Sequence, residues 1–100
     1  MHAELLDDLG EIQGNLGDMA GARQTLERAL ALASEEHGAD SVEVARTRRK
    51  LAQLVAQAGD FEEAKEQGER ALAAFERMGP EQAVEAARVK LVLAIALINS

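Results

Sequence analysis

The sequence predicts an all-α fold, a solenoid of antiparallel helix pairs, on three observations. Apolar residues make up 47% of the chain but only Phe61 and Phe75 are aromatic, so a core has to be assembled from Leu, Val, Ile and Ala. Side chains of this kind suit close helix-on-helix contact better than a sandwich or barrel, which draws on β-branched and aromatic residues. Apolar positions recur at helical spacing throughout, and no segment alternates as a strand does. The chain also matches itself at a fixed offset of 42 residues, which brings Gly17-Asp18 onto Gly59-Asp60.

Four breaks, at Gly14-Asn15-Leu16-Gly17-Asp18, His37-Gly38-Ala39-Asp40, Ala58-Gly59-Asp60 and Met78-Gly79-Pro80, divide the chain into five helical segments. The first, over roughly 3–15, is set by Leu5, Leu9 and Ile12. The second, roughly 19–36, carries Ala22, Leu26, Ala29, Leu30 and Ala33 on one face. A third follows over roughly 41–57, with Val44, Leu51, Leu54 and Val55; Asp40 three residues before Glu43 resembles a capping box. The fourth, roughly 61–77, has Phe61, Ala64, Ala71, Leu72 and Phe75, and Asp60 before Glu63 repeats the start signal. The fifth, roughly 80–98, opens on Pro80, which a first helical turn accepts.

The self-match extends well beyond the turns. The offset aligns Glu27-Arg28-Ala29-Leu30-Ala31 with Glu69-Arg70-Ala71-Leu72-Ala73, Val42-Glu43 with Val84-Glu85, and Leu51-Ala52 with Leu93-Ala94. A single domain over residues 1–100 is expected, with one repeat over about 1–40, a second over about 41–79 and a half repeat over about 80–100. Each helix pair has too little apolar surface to stand alone, so the pairs are expected to stack into a right-handed superhelix with the first helix of each pair on the concave side.

These residues resemble the tetratricopeptide repeat, in the longer 42-residue form of kinesin light chains and bacterial relatives. The first helix of that repeat carries Leu before a small residue, as at Leu9-Gly10, Leu51-Ala52 and Leu93-Ala94. The family's turn is met by Gly59-Asp60-Phe61-Glu62-Glu63-Ala64 and loosely by Gly17-Asp18-Met19-Ala20-Gly21-Ala22. Both second helices show Glu-Arg-Ala-Leu, and Gly38-Ala39-Asp40-Ser41-Val42-Glu43-Val44-Ala45 looks like the inter-repeat loop of the long subclass. The resemblance implies a non-catalytic scaffold that binds a protein or peptide. It also shows a departure: the Asn-Asn pair with which peptide-binding members clamp a partner's backbone is replaced by Asp7-Asp8, Arg49-Lys50 and Leu91-Val92.

Projection of the first helices at i, i+3 and i+7 gives Glu4, Asp7 and Glu11, then Arg46, Arg49 and Gln53, then Arg88, Leu91 and Ile95. The expected partner-binding wall, with Asp7, Glu11, Arg46, Arg49, Gln53 and Arg88, runs from acidic through basic to apolar. Residues 1–40 hold nine acids and two bases, and residues 41–60 two acids and four bases. Two readings of Arg46, Arg48, Arg49 and Lys50 stay open: a solvated face countering the acidic helix beside it, or a basic spot receiving a carboxylate or acidic peptide. From Val89 to Ile98 only Lys90 is polar, so this helix needs cover on every side. Either further helices of a longer array supply it, or a second copy does, through Val89, Leu91, Leu93, Ile95, Leu97 and Ile98 in a homodimer.

Several functions are excluded or disfavoured. A net charge of -7 repels phosphate backbones, so nucleic acid is not an expected partner. With no Cys there is no thiol chemistry or Cys-held metal. His37, Asp40 and Ser41 nominally complete a catalytic set, but within one tight loop that implies no pocket or oxyanion donor. No Gly-rich phosphate loop or HExxH occurs, and no cofactor is expected. The acidic start, Glu4 with Asp7 and Asp8, is unlike a targeting signal, and Leu91 to Ile98 is far short of the roughly 20 residues that span a bilayer. A cytoplasmic interaction module is the expected class. The alternative is a sensor or autoinhibitory fragment of a larger bacterial transcriptional regulator or signalling ATPase.

Overall fold

The computed structural model describes residues 2–99. The elements run α1 (Ala3–Asn15), α2 (Met19–His37), α3 (Val42–Gln57), α4 (Phe61–Met78), a 3-10 turn (Pro80–Gln82) and α5 (Ala83–Asn99). The described residues form an all-α solenoid of helix pairs, as the periodicity predicts. Pro80 does not open the last α-helix directly. Its fixed φ and missing N–H suit the tighter turn, and α5 begins three residues later.

Helix starts follow local hydrogen bonding. Asp18 Oδ1 accepts from the Gly21 N–H at 3.0 Å, and Asp60 Oδ1 accepts from the Glu63 N–H at 3.2 Å, one period later. Asp40 is not the cap of α3. Ser41 is extended there and its Oγ accepts from the Val44 N–H at 3.2 Å, while Asp40 faces outward and accepts from Arg77 Nη2 at 3.4 Å. The turns at Gly17 and Gly59 both need φ of +90°, a conformation that glycine adopts without the Cβ penalty.

Three buried clusters hold the layers together. Ala22, Leu26, Leu51, Leu54, Val55, Ala64 and Ala96 form the central one, with Phe61 packed at its edge. Phe75 is fully buried among Ala45, Ala71, Ala74, Ala86 and Val89, and Ala3, Ala33 and Val44 close the first end. Both phenylalanines thus pack into the core, Phe75 at a buried centre and Phe61 at an edge. Gly10 marks a close approach of α1 to α2, since a Cβ there would lie 2.7 Å from the Leu26 side chain.

In one layer α1 touches α3 and α3 touches α5. In the other, the backbones of α2 and α4 stand further apart and are bridged by side chains: Arg23 of α2 reaches Asp60 at 3.6 Å and also pairs with Glu63, beside the buried apolar cluster that Ala22 and Leu26 share with Ala64. Helices in contact on one side and separated on the other make a curved wall. The α1, α3, α5 layer is on its inner side.

Candidate protein-binding surface

Two small charge clusters occupy the seams of the inner layer. At the α1–α3 seam, the Lys50 ammonium lies 2.7 Å from Asp7 Oδ2, 3.4 Å from Glu11 Oε1 and 3.8 Å from Asp8 Oδ1. Burial is the largest single influence on Lys50 and acts to lower its pKa, but hydrogen bonds and attraction from Asp7 and Glu11 together outweigh it and hold the group above its usual 10.5. At the α3–α5 seam the signs reverse. Glu85 Oε2 is 3.7 Å from Arg46 Nε and 3.6 Å from Arg49 Nε, and Glu85 Oε1 accepts from Arg88 Nη1 at 3.4 Å.

The basic run of α3 is thereby distributed over three neighbours, because successive helical residues diverge by about 100°. Lys50 turns to α1 and Arg49 with Arg46 to α5. Arg48 turns to α4, where Nη1 donates to Gln67 Oε1 at 3.0 Å. Arg48 has its pKa lowered, chiefly by burial and then by the nearby Arg70.

Of the residues expected to meet a partner, Arg46, Arg88 and Glu11 keep exposed side chains. Arg49 does not. It is only 6% exposed, Nη1 donates to Gln53 Oε1 at 2.8 Å, and its remaining charge is met by Glu85. Arg49 Nη1 and Gln53 are thus bonded to each other while the buried Arg49 Nε has no hydrogen-bond partner, and Asp7 is held by Lys50 through Oδ2. Lys50 counters the acidic helix beside it, one of the two readings left open for the basic run, whereas sequence reasoning passed over the other seam centre, Glu85. The spacing of Glu85 three residues before Arg88 was the one signal available for it.

The six residues expected to cover a second copy also divide. Val89 is fully buried against α4 and is not a surface residue, and Leu93 is half-buried where its side chain meets the α4 backbone at Gly68. Leu91, Ile95, Leu97 and Ile98 are exposed. Leu91 and Ile95, with Val92, Gln53, Ala56 and Gln57, line a notch of about 160 Å³ beside α3. A second recess of about 300 Å³ lies at the α1–α3 seam, between Asp7 and Asp8 on one side and Arg46 and Lys50 on the other. The exposed inner surface thus presents acidic, basic and apolar zones in that order.

Both histidines lie at the far end of α1. His37 Nε2 is 3.2 Å from Glu4 Oε1, His37 Nδ1 is 4.0 Å from Glu43 Oε2, and His2 Nδ1 is 3.9 Å from Glu36 Oε2. A backbone hydrogen bond, ahead of the contacts with His37, holds the Glu4 carboxyl below its usual 4.5. These donors have the chemistry to meet a cation. The two ring nitrogens of His37 face carboxylates of different helices, which accounts for them as ties joining α1, α2 and α3. Neither Ser41, used as a cap, nor Asp40 is paired with His37, so the nominal catalytic set is not assembled.

Among the described residues no helix is long and apolar enough to cross a membrane. A family model of the tetratricopeptide repeat matches residues 2–77. No characterised protein matches the chain.

Proposed function

We propose, from the premise that this chain belongs to the tetratricopeptide repeat family, that it works as a cytoplasmic interaction module which binds a protein or peptide partner on its inner surface and associates with itself through α5. Tetratricopeptide repeats are in general protein–protein interaction modules and non-catalytic scaffolds. The observation that carries the proposal is the exposed apolar run of α5, with Leu91 63% and Ile98 82% exposed. Side chains of this size in a contiguous patch are a liability in an isolated monomer and a resource at an interface. On this reading residues 1–100 are one domain of two repeats and a half, with no cofactor.

The inner surface sets the chemistry of the partner. Glu85 neutralises only one of the three guanidinium charges around it, which leaves Arg46 and Arg88 to receive a carboxylate, beside an apolar notch for a Leu-sized anchor. An acidic peptide with a neighbouring aliphatic residue fits both zones; nucleic acid does not. Titration with such peptides tests this half. Arg46→Glu with Arg88→Glu is expected to abolish binding with helicity unchanged, and unaltered affinity removes the claim. Sedimentation of the whole chain tests the other half: a monomer at every concentration removes self-association.

A second reading has its own observation. The outer faces of α1 and α5 are apolar in the way internal faces are, as in one stretch of a longer array, the arrangement of a sensor arm in a larger bacterial regulator or signalling ATPase. A longer gene product in which added helices bury Leu5, Leu9 and Leu91 favours it.

A further inference from the structure

The period of the chain makes the face that α1 lacks a neighbour on directly comparable with two covered ones. Leu5, Leu9 and Ile12 correspond to Thr47, Leu51 and Leu54 of α3 and to Val89, Leu93 and Ala96 of α5. In α3 that face is buried under Leu26 and Ala22 of α2, and in α5 it is packed on α4 at Phe75, Ala71 and Gly68. In α1 the same face is open: Leu5 is 59%, Leu9 46% and Ile12 53% exposed. It is built to receive the second helix of a pair.

The exposed side of α5 has the pattern of such a helix. The stripe by which α2 is buried is Ala22, Leu26, Ala29 and Ala33. Ala87, Leu91, Ala94 and Ile98 repeat its spacing residue for residue, with Ala, Leu and Ala in the same places, and all four are exposed. Small residues at this spacing let two helix backbones approach, and the larger side chains fill the flanks. The charges agree. Helix α1 carries Glu4, Asp7, Asp8 and Glu11 and no Lys or Arg, whereas the exposed edges of α5 carry Arg88 and Lys90.

We propose that α5 of one copy docks on the Leu5, Leu9, Ile12 face of α1 of the next copy, in the position of a second repeat helix, so that copies join head to tail. This rests on the self-association put forward above and names the surface that answers α5. The contact is heterologous, so copies add head to tail beyond two unless the two ends of an assembly meet in a ring. One helix-on-helix contact is smaller than the roughly 800 Å² per partner of a standard interface, so association is expected to be weak enough to depend on concentration.

Sedimentation velocity of the whole chain from about 5 to about 500 µM is the test. Mass rising beyond that of a dimer with concentration is the expected result. Leu5→Lys with Ile12→Lys on α1, and Leu91→Glu with Ile98→Glu on α5, alter exposed positions and are each expected to leave a helical monomer. Mixed in equal amounts they are expected to double in mass and stop there, because one usable α1 face meets one usable α5. If either pair of changes lowers helicity, Leu5→Gln with Ile12→Gln, or Leu91→Gln with Ile98→Gln, replaces it. A wild-type chain that is monomeric throughout overturns this inference and the self-association together. A wild-type dimer abolished by the α5 changes but untouched by the α1 changes overturns only the head-to-tail contact and leaves a symmetric α5 pairing. Two monomeric variants that fail to combine overturn it as well.

Discussion

The ammonium of Lys50 lies 2.7 Å from the Asp7 carboxylate, with both side chains largely removed from solvent. This contact ties the second repeat to the first, and it was formed from residues that the sequence places in two different charge patches. Because both partners are shielded, the pair couples more strongly than a surface ion pair and leaves a costly orphan if broken.

Lys50→Met keeps most of the buried aliphatic stem and removes the charge. It is expected to destabilise the fold by about 1–3 kcal/mol, read from urea unfolding, because Asp7 is left without its counter-charge.

The same pair fixes a pH dependence. The folded-state pKa of Lys50 lies above its usual 10.5, so its contribution is fully present below 10.5 and is lost as pH rises through the higher folded value. Unfolding midpoints followed from neutral pH into the alkaline range are expected to fall in the wild type, and this Lys50-linked component is absent from Lys50→Met.

Glu85 and Arg88 separate a buried contribution from an exposed one. Glu85→Gln leaves Arg49, which is almost wholly buried, with reduced compensation and is expected to cost about 1–3 kcal/mol. Arg88→Ala removes an exposed partner and is expected to cost under about 1 kcal/mol, in the same denaturant measurement.

The two phenylalanines are also unequal. Phe75 is fully buried, so Phe75→Ala is expected to cost about 3–5 kcal/mol, a large part of the stability of a chain this size. Phe61 lies at the edge of its cluster, and Phe61→Ala is expected to lower the thermal midpoint by clearly less.

The helices, their order and the pairing were legible because periodic Ala and Leu positions and Gly-Asp turns report local geometry directly. What could not be read was which neighbour each side chain of α3 would meet. Arg49 and Lys50 are adjacent in sequence, yet one faces Glu85 of α5 and the other Asp7 of α1. A helical projection fixes their angular separation but not the identity of the helix at each angle. The cap of α3 failed for a local reason: Asp40 and Ser41 are both competent caps, and the backbone turns helical one residue later than the Asp40-to-Glu43 spacing suggests. Val89 was placed on the surface because an all-apolar helix gives no contrast from which to choose its buried side. The period did not settle it either, since Val89 aligns both with buried Thr47 and with exposed Leu5.

In the outer layer Arg23 reaches from α2 to Asp60 and Glu63, alongside the apolar cluster that Ala22 and Leu26 share with Ala64. The inner helices approach one another more closely than the outer ones do, and the outer joint combines apolar side chains with a charged buckle. Salt weakens such a buckle far more than it weakens apolar packing. Added salt is therefore expected to loosen the charged part of the outer joint while the apolar packing beside it holds.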